Sequence, residues 1–321
     1  KKKIRKKTAV IFGITGQDGA YLANFLLNKG YKVIGTTRNK NSKNFFRLKK
    51  LNILKKLKIF KGEAIDINFC KKIINSKISE IYYLAGDSSV LRSYEYPLNS
   101  FNSNTLGLLN ILHHLKNKKY KTRLFNAGSA QFYGNNKNCK YNLKSKIEPQ
   151  SVYGISKAAG YWLVKIYREK YNMNCCTGIL FNHESILRPD EVVTKKIVKI
   201  SKKIKNNSKI RLKLGNINIY RDWGWAPEYV EAFWLMLQKN KMLDFIIGTG
   251  KIHSIKDFLN EVLKLQKISK KNVTINVGKH YRKYDLKKYC ADTKFTHKHL
   301  KWKPKINFKK IIHKMVNNEL F

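Results

Sequence analysis

Thr8-Ala-Val-Ile-Phe12 running into Gly13-Ile-Thr-Gly16-Gln-Asp-Gly19 is the stretch that decides the fold. A short apolar run stopped by glycine reads as a strand buried on both faces, as in a parallel sheet. The glycines then form a turn that opens a helix reaching about Lys29. Glycine permits the tight turn, lets a pyrophosphate approach the backbone, and lets the helix close on the strand. The helix start adds amide donors and the positive end of its dipole. Gly13, Gly16, Gln17, Asp18 and Gly19 are therefore candidate dinucleotide-binding positions.

Outward from this unit the pattern repeats. Tyr31-Lys-Val-Ile-Gly-Thr-Thr37, Ile81-Tyr-Tyr-Leu-Ala85, Arg123-Leu-Phe-Asn-Ala127 and Cys176-Thr-Gly-Ile-Leu-Phe181 read as further strands. Helices are expected over 104–115 and around Tyr153 and Lys157. Strands alternating with helices imply an α/β fold with a Rossmann-type, doubly wound parallel sheet. Arg38 to Lys61 is basic and asparagine-rich with interspersed leucines; a short helix on the sheet edge is expected there rather than a membrane-surface helix. The second half is less regular, with strands expected at 211–214, 245–247 and 273–277 and helices at 229–238 and 255–265.

Composition bounds the function. With 43% hydrophobic residues in 321, the chain is long and apolar enough to bury a real core. The net charge of +47, from 67 basic against 20 acidic residues, would ordinarily point to a polyanion. The lysines are spread from end to end, however, and no zinc module or RNP motif accompanies them, so specific nucleic-acid binding is not expected. Cys70, Cys139, Cys175, Cys176 and Cys290 show neither disulfide nor metal spacing, and no metal is expected. The basic start, Lys1 to Lys7, is followed by an apolar run too short for a signal peptide, and no run approaches membrane-spanning length. The reading is a soluble cytoplasmic protein without membrane insertion.

Tyr153-Gly-Ile-Ser-Lys157 carries the chemistry. Residues at i and i+4 share a helix face, and an ammonium beside a phenol favours the phenolate. Such a tyrosine can act as a general base toward an alcohol near neutral pH. Alone the pattern also describes two unrelated residues on a surface helix; the glycine turn gives it a cofactor to act with. The second strand ends in Thr36-Thr37-Arg38 where an NAD enzyme would offer a carboxylate to the ribose, so NADP is favoured over NAD. Arg38 also fits an ordinary surface arginine. Asp66 is placed to cap the adenine side, or serves as a turn residue, and Leu84 and Ala85 at their strand end are further cofactor-side candidates.

Gly13-Ile-Thr-Gly-Gln-Asp-Gly-Ala-Tyr-Leu22, Ile179-Leu-Phe-Asn-His-Glu-Ser185, Val193-Thr-Lys-Lys-Ile197, Arg221-Asp-Trp-Gly224 and Tyr229-Val-Glu-Ala-Phe-Trp-Leu-Met-Leu-Gln238 together resemble the GDP-mannose 4,6-dehydratases, extended short-chain dehydrogenases. The glycine spacing, G-x-x-G-x-x-G, is the variant typical of that superfamily. The resemblance implies oxidation of a GDP-hexose at C4 with NADP, elimination of water across C5 and C6, and return of hydride to C6. It also implies a homodimer or homotetramer. The expected division is a cofactor domain over 1–181 plus about 220–250, with a smaller substrate-binding domain over about 182–219 plus 251–321.

Carried over residue by residue, Tyr153 takes the C4 hydroxyl proton, Lys157 holds the nicotinamide ribose, and Ser129 bonds the same hydroxyl. Ser88, Asn182, Lys196 and Arg221 fall at substrate positions. Arg282 and Asp285 match less closely a segment that clamps GDP, and fit equally a solvated charge cluster. The departure is Gln131, where the family pattern has the glutamate that removes the C5 proton. A carboxamide is no base near pH 7. Glu184 is the nearest carboxylate by sequence logic, with a structural role preferred, and Asp87 is another. The alternative is a GDP-sugar 4-oxidoreductase or 4-epimerase that keeps only the hydride chemistry.

Overall fold

The computed structural model describes residues 6–39, 41, 45–135, 139–275 and 287–321. Its central sheet has seven strands: β1 (Thr8–Phe12), β2 (Lys32–Thr37), β3 (Lys58–Lys61), β4 (Glu80–Tyr83), β5 (Arg123–Ser129), β6 (Cys175–Leu180) and β7 (Phe245–Ile247). Their order is β7-β6-β5-β4-β1-β2-β3. β1 pairs in parallel with β2 and β4, and parallel pairing continues from β2 to β3, β4 to β5 and β5 to β6. The strand order thus reverses beside β1, whose C-terminal end is where such sheets bind ligands. Ala9, Val10 and Ile11 are fully buried, as a strand covered on both faces requires.

The first half of the chain supplies helices α1 (Gln17–Asn28), α2 (Phe46–Lys50), α3 (Ile67–Ile73), α4 (Val90–Glu95), α5 (Pro97–Phe101), α6 (Gly107–Asn117) and α7 (Val152–Tyr171). One core cluster joins Val10, Ile81, Leu112, Leu124 and Val164. Cys175 and Cys176 are fully buried strand residues, and burial pushes the Cys175 thiol up to about 12, so they pack rather than react. Buried Glu80 accepts from Tyr31 (3.0 Å) and Tyr82 (2.8 Å), which keeps it satisfied.

The chain divides into two compact units. The first takes in Lys1–Gly134, Ser145–Leu180 and Val230–Ile246; the second takes in Asn135–Lys144, Phe181–Tyr229 and Ile247–Phe321. The second unit has a core of its own, with Ile197, Leu212, Trp223, Phe258, Val262 and Ile311 among its members. It carries a four-stranded sheet ordered His253–Ser254, Tyr220–Arg221, Lys288–Ala291, Lys140–Tyr141. Asn182–Glu184 pairs in parallel with Trp223–Trp225, and Leu212–Leu214 with Val273–Ile275. Buried Asp222, next to Arg221, ties that segment to the 249–250 turn and to Lys288–Ala291, accepting from the amides of Thr249 (2.8 Å), Gly250 (2.8 Å) and Ala291 (3.1 Å).

Three differences from expectation have local causes. The 38–61 stretch contains the short helix α2 and also the edge strand β3, whose four residues carry too little pattern to announce it. The helix expected over 104–115 begins as a π-turn at Asn102–Leu106 before α6. The two- and three-residue strands of the second unit lie below the length at which alternation can be read. Of the strand expected over 273–277, Val273–Ile275 is observed, and 276–277 lie outside the described residues.

Candidate active site

The glycine turn is a backbone cradle. Gly13 has φ +87°, and a Cβ there would lie 2.9 Å from the Leu84 carbonyl and the Ala85 nitrogen. A Cβ on Gly19 would lie 2.3 Å from the Gly13 oxygen. Glycine is therefore required at both positions by contact, and the turn sits directly on the end of β4, against the backbone of Leu84 and Ala85. Gln17 Nε2 donates to Asp18 Oδ1 at 3.0 Å. Arg38 is exposed just beyond β2. Asp66 caps α3 by accepting from the Asn68 amide at 2.8 Å, a turn role.

α7 places the reactive pair. Ser151 caps it, accepting from the Gly154 amide at 3.0 Å, and the Tyr153 amide is held by Ser93 Oγ of α4 at 3.1 Å. Tyr153 and Lys157 are buried, with the ammonium 5.9 Å from the tyrosine ring centroid. Lys157 Nζ donates to the Ala127 carbonyl of β5 at 2.9 Å. Burial pulls the Lys157 pKa down to about 8, against the opposing pull of Asp18. Ser129, on the same strand as Ala127, ends β5 and accepts from the Gln131 amide at 3.2 Å. Ser129, Gln131, Tyr153 and Lys157 thus belong to one neighbourhood built from β5, its following turn and α7.

Around it, Asp87 Oδ1 accepts from the Ser89 amide at 3.1 Å, and Oδ2 lies 3.4 Å from Arg92 Nε. Ser88 between them is exposed. Two further residues emerge that sequence reading passed over. Arg47 of α2 donates to the Thr15 carbonyl inside the glycine turn at 3.0 Å, which adds a guanidinium to the cofactor loop. Asn104, on the π-turn, donates to the Asp87 carbonyl at 3.3 Å, and its buried Oδ1 has no hydrogen-bond partner among the described residues. A π-turn interrupting a helix is a common mark of functional positions, but its sequence signal is weak.

In the second unit, Asn182 and Arg221 converge on Tyr289, a residue the sequence did not single out. The Tyr289 hydroxyl donates to Asn182 Oδ1, and the Arg221 guanidinium lies 4.6 Å from the Tyr289 ring centroid. Lys196 donates elsewhere, to the Lys213 carbonyl at 2.8 Å. Glu184 is fully buried, accepts from Thr194 Oγ1 at 2.7 Å and lies 3.3 Å from Arg188 Nε, the structural role preferred for it. Arg282 and Asp285 lie outside the described residues. No group of metal-ligating side chains occurs among the described residues, and no described helix is long and apolar enough to cross a membrane.

A family model for GDP-mannose 4,6 dehydratase matches residues 10–315. The chain belongs to the GDP-mannose 4,6 dehydratase family. It is 34% identical to the GDP-mannose 4,6 dehydratase of Cricetulus griseus, covering 98% of this chain and 92% of that one. To GDP-mannose 4,6 dehydratase 1 of Arabidopsis thaliana it is 35% identical, over 98% and 90%. Among solved structures, dTDP-glucose 4,6-dehydratase of Bacillus anthracis in complex with NAD has a TM-score of 0.84 at 18% identity, covering 97% and 96%. UDP-glucose 4-epimerase of Thermotoga maritima with UDP-glucose has a TM-score of 0.85 at 18% identity, over 97% of each chain. At that identity these two show the shared fold.

Proposed function

We propose that the protein is a GDP-mannose 4,6-dehydratase that works with NADP. The observation that carries the reading is the buried Lys157 ammonium, anchored to the β5 carbonyl and one helical turn from Tyr153, in a chain that matches this family over residues 10–315. The glycine cradle, which a Cβ would fill, fits the pyrophosphate of a dinucleotide. A bound nicotinamide would supply the hydride acceptor and donor for the sugar. Tyr153 takes the C4 hydroxyl proton, Ser129 orients that hydroxyl, and Lys157 holds the phenolate's charge and the ribose.

Loss of the C5 proton and of the C6 hydroxyl as water needs a base, and Gln131 is a carboxamide. Among the carboxylates of the first unit, Asp87 follows β4, the strand beside β5, which makes it the first substitute to test. If nothing substitutes, the hydride half survives alone and the enzyme is a GDP-sugar 4-oxidoreductase or 4-epimerase. The deciding experiment is incubation with GDP-mannose and NADP followed by mass spectrometry of the sugar nucleotide. Loss of one water establishes the dehydratase; an isomer, or reduced cofactor without water loss, replaces it with the second reading.

NADP is chosen over NAD because two guanidiniums serve the adenosine side, Arg38 beyond β2 and Arg47 on the glycine turn, with no carboxylate ending β2. Equal affinities for the two cofactors would remove that assignment. The partner we assign besides substrate is a second copy, forming a homodimer or a tetramer of such dimers. Leu91, Tyr94 and Leu98 on α4 and α5, and Trp162 and Ile166 on α7, are 45–75% exposed. No lysine occurs between Lys77 and Lys116, so the repulsion expected between two such basic chains is weakest on α4 and α5. Light scattering on the wild type and on Trp162→Glu tests this; a monomer at every concentration would exclude it. The five free cysteines fit a reducing, cytoplasmic setting.

A further inference from the structure

We propose that Ser93 is a positioning residue for the general base: its hydroxyl ties the backbone of Tyr153 to α4 and so fixes where the phenol stands. The inference rests on the reading of Tyr153 as the base and concerns the first unit alone. The first turn of a helix is its weakest part, because its amides have no partners within the helix. Tyr153 is the second residue of α7 and lies in that turn. Ser151, the cap, accepts from the Gly154 amide at 3.0 Å, whereas the Tyr153 amide donates to Ser93 Oγ at 3.1 Å.

The Ser93 hydroxyl is oriented for this task. It donates its one proton to the Val90 carbonyl at 2.7 Å, which leaves a lone pair for the Tyr153 amide. Ser93 is fully buried, so no solvent competes for that amide. Its neighbour adds a second tie, since the Tyr94 hydroxyl donates to the Gln150 carbonyl at 2.9 Å, just before α7 begins. On the carbonyl side, Ser156 Oγ donates to Tyr153 at 2.8 Å, and Thr105 Oγ1 donates to Ser156 at 3.0 Å. α4 is itself anchored at its start, where Ser89 Oγ accepts from the Arg92 amide at 3.2 Å and Asp87 lies 3.4 Å from Arg92. Tyr153 thus takes its place from the segment after β4 that carries Asp87 and Ser88. A reacting group moved by about 1 Å can lose roughly 100-fold in rate, so the tie matters to the chemistry as well as to the fold.

The test measures single-turnover hydride transfer from GDP-mannose to NADP in wild type, Ser93→Ala and Ser93→Cys. The cysteine keeps the shape of the side chain and supplies only a weak acceptor. Thr122→Val is the control, because Thr122 Oγ1 makes a similar buried bond to the Ile78 carbonyl at 2.9 Å, on no part of α7. Both Ser93 variants are expected to slow hydride transfer about 10-fold, with KM for the sugar nucleotide and NADP affinity unchanged. Amide exchange over residues 152–157 should quicken about 10-fold in the same variants. Thr122→Val should lower the melting temperature and leave both readouts at wild-type values. Unchanged hydride transfer in the folded Ser93 variants, or unchanged exchange, would overturn the proposal. An equal loss in Thr122→Val would overturn it too, marking a merely structural hydroxyl. If the wild type oxidises another nucleotide hexose but not GDP-mannose, the substrate reading falls and the same comparison on that hexose still decides the role of Ser93. A wild type inert toward every nucleotide hexose overturns both.

Discussion

Lys157 and Arg221 are cations buried to nearly the same depth, 8% and 7% exposed, yet the fold holds them in opposite ways. Lys157 sits in apolar surroundings on the Ala127 carbonyl, and burial brings its pKa to about 8, inside the working range. Arg221 lies on the face of Tyr289, where a planar, delocalised, weakly hydrated guanidinium stacks. The contrast separates two tasks. A lysine that can nearly lose its proton belongs beside a tyrosine that must exchange one. An arginine that cannot lose its proton belongs where a permanent anion is held.

The comparison breaks most visibly at the tyrosine. Tyr153→Phe should lower hydride transfer by about 10²–10⁴-fold with NADP affinity unchanged, read as formation of reduced nicotinamide in a single turnover. Turnover near the wild-type rate would remove proton exchange from this side. Next, Gln131→Glu should raise water loss by about 10²-fold, measured by mass spectrometry against cofactor reduction as the reference. An unchanged ratio would show that another carboxylate already serves, and Asp87→Asn would then abolish the reaction.

On the permanent-charge side, Arg221→Lys keeps the charge but loses the planar fork and the stacking, and should weaken GDP about 10-fold. Equal affinity would mean that charge alone suffices there. The smallest expected effect is on stability. With a folded pKa near 8 and an unfolded value of 10.5, the unfolded chain binds more protons at Lys157 between those values, so this group's contribution makes stability rise with pH across that window. Lys157→Met should therefore stabilise the protein at neutral pH by about 1–2 kcal/mol after loss of the hydrogen bond to Ala127, and the gain should vanish above the window. Thermal unfolding at several pH values measures it; a destabilised variant at pH 7 would show that the ammonium is better solvated than its burial implies. The rate of hydride transfer should fall above about pH 8 as the ammonium discharges.

The parallel sheet could be read from the chain because each of its longer strands is an apolar run ended by glycine or a polar turn, a signal internal to a few residues. The glycine turn and the Tyr153/Lys157 spacing are local in the same sense: strand-turn-helix geometry and the helical repeat place them without further information. Gln131 likewise declares its lack of a titratable proton by residue type alone. Edge strand β3 and the π-turn at 102–106 could not be read this way, because each is too short to outweigh its flanks.

What only the tertiary structure decided lies between segments remote in sequence. Tyr289 meets Arg221 through a strand pairing and Asn182 through a hydrogen bond between residues 107 apart, and no periodicity reports such a meeting. Arg47 reaches Thr15 across 32 residues because a five-residue helix happens to lie over the glycine turn. Burial lowers the Lys157 pKa, against the pull of Asp18, only once α1, β5 and α7 are packed, since desolvation is a property of the assembled interior. The sequence thus specified which groups are able to react, through their chemistry and short spacings. Packing specified their environment, because desolvation and long-range hydrogen bonds do not exist until the chain has folded.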